Sequence, residues 1–454
     1  MTALRQSRAA VLAGALLVGP IAGALAARKP TITLLLCLAV ICVLALASLG
    51  DRAFPWAIAA VAVIPWYPFT GPGAAPPLVR QLYLCIAIVA APLVPWLWSL
   101  AAGARRARPN RMMVILAILS IALVVIVYIS EGSVKPMVQS GTVGFLMGGI
   151  TFLCARRFTD ARAWLGAGFG ALVLLGTMGV AAAVIDPGDR VGSFVGHGIT
   201  YGALVVAVLP AALVFALRRG RTLAALVAAG AGALLILSQS RSSWLAALLM
   251  VFYVMLLLAR RGDFRLMGYV GGGLAVALIV IFSTGSLHKI VENRLNSSVG
   301  QSQAVTHRQF SLSYASGQIR KHPVFGTGTP GSAAQQIGAQ TDLGAVDNGY
   351  LSIGVDLGLI GLFLVLFPVA VALRVLGRCL RLGIAPPVEL ALALGVIGVA
   401  VVSLFYDSFY WAQLDLVMFA MAGVLSARLP LLPNAPLGRR VRLYPAPRMR
   451  PARY

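Results

Sequence analysis

Charge is what this chain has least of. Of its 454 residues, 11% are Asp, Glu, Lys or Arg, where a soluble domain carries about 25%. Hydrophobic residues make up 59%, and the mean hydropathy is +0.90. So little polar surface cannot clothe a water-facing globule of this size, which excludes a soluble enzyme. Acidic residues are the scarcest, 13 against 37 basic ones, for a net charge of +24. There is no DxD and no dense carboxylate cluster, so no metal site is expected. No Walker loop is present, which argues against ATP hydrolysis. The five cysteines (Cys37, Cys42, Cys85, Cys154, Cys379) form no CxxC and no Cys/His cluster. They read as small buried hydrophobes, without a disulfide framework or a cofactor to hold.

What the chain does have is apolar stretches of ~17–22 residues, the length of a membrane-spanning helix and not of a barrel strand. Fourteen candidate spans follow one another: roughly 9–27, 31–49, 53–69, 82–102, 112–130, 137–155, 163–185, 199–217, 222–238, 243–259, 267–284, 349–373, 386–405 and 408–427. The third is short and Pro-rich, and losing a pair leaves twelve. The expected fold is therefore an all-α polytopic membrane protein of about 12–14 transmembrane helices. The chain divides into helices 1 to 11 (1–284), a large loop (285–348), helices 12 to 14 (349–427) and a basic cytoplasmic tail (428–454). The first span lacks a convincing signal-peptide cleavage site, and another apolar stretch follows at once.

The basic residues now acquire sides, because cytoplasmic loops collect Arg and Lys. With the N-terminus inside, 26 of the 37 fall inside and 11 outside. The alternation holds through all fourteen spans. The positive charge therefore orients the chain and does not announce a nucleic acid; the tail is expected to touch anionic membrane lipid. The loop 285–348 is too long to be a bare connector. It contains HKIVENRL and FSLSYASGQIRKH, which read as short amphipathic helices with SSVGQSQAV between them. Three of the four histidines lie in it.

Four outside features carry candidate chemistry. The Gly-rich segment DPGDRVGSFVGHGITYG holds Asp186, Asp189, Arg190 and His197. The segment SQSRSSW puts Arg241 between two spans, where Ser238, Gln239, Ser240, Ser242 and Ser243 suggest a polar pocket. An ionisable group at membrane depth is a functional hypothesis, and the bland alternative is an interfacial arginine reaching for water. The large loop adds Arg308, then Arg320 and Lys321, and a KHPVFGTG turn containing His322. Finally VDNGYLSIGVDLGLIGL places Asp347, Asn348 and Tyr350 at the mouth of a span, with Asn348 or Asp347 as N-cap and Asp356 about two turns further in. Arg190, Arg241 and Arg308 suit a multiply charged anion, because the guanidinium gives bidentate hydrogen bonds and keeps its charge. Asp347, His322 or His197 would be a base beside it.

The order of these segments resembles a known family. An RxxGSF–H–G loop precedes an S-x-S-R segment that opens a helix. A large loop follows with an early Arg and an H-P-x-x-G-x-G turn, and then an N-x-Y-L-x-x-x-x-x-x-G-x-x-G-L stretch. Over about residues 186–365 this is similar to the O-antigen ligases and polysaccharide polymerases of bacterial envelopes. The resemblance implies a GT-C-like glycosyltransferase of the inner membrane whose site faces the periplasm and whose large loop is periplasmic. It implies metal-independent inverting transfer of a glycan from undecaprenyl pyrophosphate to an acceptor hydroxyl, either lipid A–core, as in lipopolysaccharide biosynthesis, or another glycan. Arg190, Arg241 and Arg308 then correspond to the pyrophosphate arginines, and Ser240, Asn348 and Tyr350 to substrate-binding positions. Where O-antigen ligases usually present His before Asn, this chain has Asp347, which tilts the reading toward polymerisation or another acceptor. A transporter or flippase of lipid-linked glycans and a non-catalytic assembly scaffold are the rivals. A transporter should show helices broken in matched halves, and misplaced outside arginines argue against a scaffold.

Overall fold

The computed structural model describes residues 53–63, 142–185, 197–265, 298–328, 348–406 and 411–432, with a few single positions such as Phe409. Among the described residues there is no strand. The helices are α1 (Ala53–Ala62), α2 (Thr142–Ala155), α3 (Ala161–Ile185), α4 (Gly198–Arg219), α5 (Arg221–Ser238), α6 (Arg241–Arg261), α7 (Ser298–Lys321), α8 (Gly349–Leu382), α9 (Pro387–Ser403) and α10 (Ala412–Arg428). Six of them, α3, α4, α5, α6, α8 and α10 with the turn that extends it, are long and apolar enough to cross a membrane. The candidate spans near 9–27, 31–49, 82–102, 112–130 and 267–284 fall wholly or almost wholly outside the described residues.

Composition explains why these segments are helical and where they stand. In hydrocarbon each backbone N–H and C=O must be satisfied within the segment, and an apolar stretch of this length does so only as a helix. Val180, Val184, Leu226, Leu248, Phe252, Phe363 and Leu373 are exposed large apolar side chains, a surface suited to lipid and not to water. The core lies between α4, α9 and α10. There small residues let backbones approach closely, as membrane bundles require. A Cβ on Gly423 of α10 would collide with the Phe152 carbonyl of α2, and one on Gly395 of α9 with the Ala207 carbonyl of α4.

Charge separates the two ends of the bundle. Arg156, Arg157, Arg162, Arg218, Arg219, Arg221, Arg260, Arg261, Arg374, Arg378, Arg381 and Arg428 all stand at one end, at or beside helix termini. That end is stapled by polar contacts. Arg428 Nε pairs with Glu389 at 2.7 Å and its Nη1 donates to the Thr159 carbonyl at 3.0 Å. Arg378 donates to the carbonyls of Leu429 and Leu432. At the other end Arg241 is the one arginine on a spanning helix among the described residues.

Two elements differ from what the sequence predicts. The segment SSVGQSQAV, expected to lie between two short helices, falls from its second residue on within one continuous 24-residue helix, α7. And α8 is not a plain span. Its 34 residues would measure about 51 Å at 1.5 Å each, well beyond a ~30 Å hydrocarbon core, and it breaks at Gly358, where φ is 61° and ψ −154°.

Candidate functional site

The arginine-poor end is where α4, α6 and α8 begin. Each start is capped by a residue that the sequence singles out. His197 precedes α4, and its Nδ1 accepts from the Ile199 amide at 3.2 Å. Ser240 precedes α6 and its Oγ accepts from the Ser243 amide at 3.3 Å. Asn348 precedes α8 and its Oδ1 accepts from the Leu351 amide at 3.1 Å. A short polar side chain at this position satisfies one of the orphan amides of the first turn.

The three starts are brought to one place by direct contacts. Gly202, in the first turn of α4, faces the Ser243 and Ser238 hydroxyls; a Cβ there would lie 2.5 Å and 2.9 Å from them. The ring of Tyr406, in the α9–α10 connection, stacks on His197 with centroids 5.1 Å apart and planes 7° from parallel. The Tyr406 carbonyl accepts the Gly349 amide at 3.1 Å, and the Thr200 hydroxyl donates to the Tyr406 hydroxyl at 3.4 Å. Tyr406 thus ties the start of α4 to the start of α8. Tyr350 packs edge-on to Phe409, 5.1 Å away, and its hydroxyl donates to the Ala400 carbonyl at 3.1 Å.

Several candidates therefore take defined structural duties. Ser240 is 2% exposed, and its hydroxyl bonds those of Ser243 at 2.8 Å and Ser242 at 3.2 Å. Gln239, in left-handed conformation at φ 50°, makes the tight turn between α5 and α6. The serines form a satisfied buried knot under the turn, where the sequence suggests a polar pocket. The knot points Arg241 outward: it is exposed at the first position of α6. A cation there opposes the positive end of the helix dipole by about 0.3–1 kcal/mol, which a bound anion would offset. The ends of α3, α5 and α9 reach the same side and offset part of the dipole field of the helices that begin there.

Helix α7 lies on the first turns of α8. Ala315 and Val355 are both fully buried against each other, flanked by Phe310, Tyr314, Ile319 and Leu351. Arg308 belongs to the same helix, seven positions before Ala315. Burial, and after it the buried Asp356 carboxylate, hold the Tyr314 hydroxyl above the usual tyrosine range; a hydrogen bond with Gln318 acts the other way. Asp356 and Asp415 are enclosed in the bundle. His322 is exposed, just beyond the end of α7. Arg190 and Asp347 lie outside the described residues.

The turn after α7 is the feature that sequence reasoning missed. It docks on the break in α8 through four backbone hydrogen bonds. The Thr327 and Gly328 amides donate to the Val355 and Asp356 carbonyls at 2.8 and 3.1 Å, and the Leu359 and Ile360 amides donate to the Pro323 and Val324 carbonyls at 2.9 and 3.4 Å. The signal was present in the H-P-x-x-G-x-G and G-x-x-G spacings, but nothing in them says that the glycines face each other.

A multi-pass bundle with capped helix starts gathered at its arginine-poor end, under a polar helical loop, is the class of protein that the fold defines. Within it, residues 224–366 match the family model described as O-antigen ligase, which bears out the resemblance read from the sequence. The matched stretch runs from α5 into the second half of α8. It contains Ser240, Arg241, Arg308, His322, Asp347, Asn348 and Tyr350, while Arg190 and His197 precede it. No curated protein matches the chain. The match supports glycan transfer of the ligase or polymerase type. Among the described residues no group of His, Cys, Asp and Glu is placed to hold a metal ion.

Proposed function

We propose that the protein is a glycosyltransferase of the bacterial inner membrane. It moves a glycan from undecaprenyl pyrophosphate to an acceptor hydroxyl on the periplasmic face, without a metal. The observation that carries this reading is the placement of Arg241. It is an exposed arginine held at a helix start by a buried serine knot, at the end of the bundle otherwise poor in cations, inside the segment that matches O-antigen ligase. A fixed guanidinium suits a pyrophosphate leaving group, since the charge that develops on it as the glycosidic bond breaks needs donors already in place. Arg308 on α7 and Arg190 before α4 would complete the clamp.

The general base would take the acceptor's proton as its oxygen attacks. Asp347, next to the Asn348 cap, is our first choice. His197 is the weaker candidate, because its Nδ1 is used as a helix cap and its ring is stacked on Tyr406. His322 remains exposed near the α7 end. The Tyr350 hydroxyl is engaged by a carbonyl, so its part is to hold the entrance of α8 and not to grip the sugar through that oxygen.

A broken spanning helix is also a mark of transporters. Here the break is filled by the chain's own turn, so its carbonyls and amides are not left to coordinate a passing ion or substrate. Among the described residues no second helix carries a matching interruption. The deciding experiment supplies purified protein with an undecaprenyl-pyrophosphate-linked oligosaccharide, with and without lipid A–core, and sizes the products. A ladder without core indicates a polymerase and a single addition to core a ligase. No transfer under either condition would overturn the reading.

A further inference from the structure

The break in α8 and the turn 322–328 fit each other as two halves of one element. Breaking a helix strands two carbonyls on one side and two amides on the other. Within a membrane protein such groups must find protein partners. The turn provides all four: two amides for Val355 and Asp356, and two carbonyls for Leu359 and Ile360. The approach is backbone to backbone. Gly326 (φ +66°) and Gly358 (φ +61°) face each other; a Cβ on Gly326 would stand 2.5 Å from the Val355 oxygen and 2.6 Å from the Gly358 nitrogen. A Cβ on Gly358 would stand 2.5 Å from the Gly326 nitrogen and the Val324 carbonyl carbon. Both glycines also adopt the left-handed region that side chains resist. Nothing larger than hydrogen fits at either place.

We propose that the turn 322–328 is a latch, and that Gly326 and Gly358 are positioning residues that fix α7 against α8 for the transfer reaction. One side of the latch continues directly into α7, which carries Arg308. The other side is α8, whose start carries Asn348 and follows Asp347. Seated, the latch fixes the helix that carries Arg308 against the helix whose start Asn348 caps. The buried Ala315–Val355 contact and the seat of Ile319 against Gly354 hold the same pair of helices on the side toward the α8 start. The activity arm of this proposal rests on the glycosyltransferase reading; the docking arm does not.

The test uses the full-length protein with its native cysteines replaced, carrying Ala315→Cys and Val355→Cys. The rate at which this pair forms a disulfide reports docking without any substrate. In the otherwise wild-type background the pair should cross-link readily, and the locked protein should transfer as fast as the reduced one. Loss of transfer on locking would mean that α7 must leave α8 during turnover, which overturns the proposal. Gly326→Ala and Gly358→Ala should slow cross-linking and lower kcat on the order of a hundredfold, as a displacement of about 1 Å does, with KM for donor changed far less. Oxidising the cysteine pair in the Gly326→Ala background should restore much of the lost kcat, which a general folding defect would not allow. Variants that transfer normally, or that lose transfer while cross-linking at the wild-type rate, would also overturn the proposal. If the alanine variants fail to accumulate, the locked wild-type background still decides. A wild-type protein that docks normally yet transfers nothing would sink the glycosyltransferase reading and leave the docking intact.

Discussion

At the scale of single residues the site divides into groups that hold the scaffold and groups exposed at its surface. His197, Ser240, Asn348 and Tyr350 all spend polar atoms on helix starts or neighbouring carbonyls; Arg241 projects outward. The arginines should therefore be chemically irreplaceable. Arg241→Ala and Arg308→Ala should abolish transfer while leaving the amount of membrane-inserted protein unchanged. Arg241→Lys should restore little, because one ammonium cannot make the bidentate contact; near-normal turnover of the lysine variant would reduce Arg241 to a point charge. The candidate bases should separate in the same assay. Asn at position 197 preserves a capping oxygen, whereas losing a cap costs about 0.5–2 kcal/mol. His197→Asn should therefore retain most activity, and Asp347→Asn should slow transfer more than it weakens donor binding. The opposite ranking would move the base to His197. Sequence alone makes the Asn348 cap legible, since Asn before an apolar stretch is a strong start signal, but not those at His197 and Ser240. It does not show that the serines around Arg241 would be consumed by one another. That depends on Gly202 of α4, 38 positions away in the chain from Ser240, closing over them.

At the scale of elements, apolar length locates the spanning helices well because the membrane constraint is local: α4 covers the stretch 199–217 and α6 the stretch 243–259. Two features escape it. The segment 298–305 is helical although its Ser, Gly and Gln give no apolar period; its helix docks further along, through Ala315 and Ile319. The break in α8 is hidden for the opposite reason. VDLGLIGL reads as uninterrupted apolar sequence, and only the distant turn makes a break tolerable there. Element packing gives its own prediction. Gly423 lies against the Phe152 carbonyl and 2.9 Å, at its would-be Cβ, from the Ala155 methyl. Gly423→Leu should wedge α10 from α2 and cost about 1–3 kcal/mol or more by overpacking, with Gly423→Ala milder. Thermal unfolding in detergent measures this, and an unshifted Tm for the leucine variant would argue that α2 and α10 are not in contact.

At the scale of the whole molecule, the uneven distribution of arginine makes a statement about sidedness. The crowded end carries the Arg428–Glu389 pair and the arginines at the ends of α4, α6 and α8 and the start of α5; in the orientation proposed above it faces the cytoplasm, as the inside bias of basic residues favours. A cysteine-free protein carrying Gln309→Cys on α7 should then react with a membrane-impermeant thiol reagent in intact spheroplasts. Arg260→Cys, at the opposite end, should react only after lysis. The reverse pattern would invert the proposed orientation and place the site on the wrong side for a periplasmic acceptor. This crowding of arginine at one end was readable from charge alone, whereas the gathering of α4 and α8 around Tyr406 was not, because it is made by contacts between distant segments: Tyr406 lies 209 positions from His197 and 57 from Gly349.

The latch also bears on how the chain is made. Translation runs from the N-terminus, so residues 322–328 leave the ribosome on the order of seconds before the second half of α8. The part that completes this helix is therefore synthesised first. Until the two meet, the segment can close its own helical bonds from Leu359 to Val355 and from Ile360 to Asp356, and seating the turn exchanges those two bonds for the four it supplies. Folding of the loop and breaking of the helix are thus a single event.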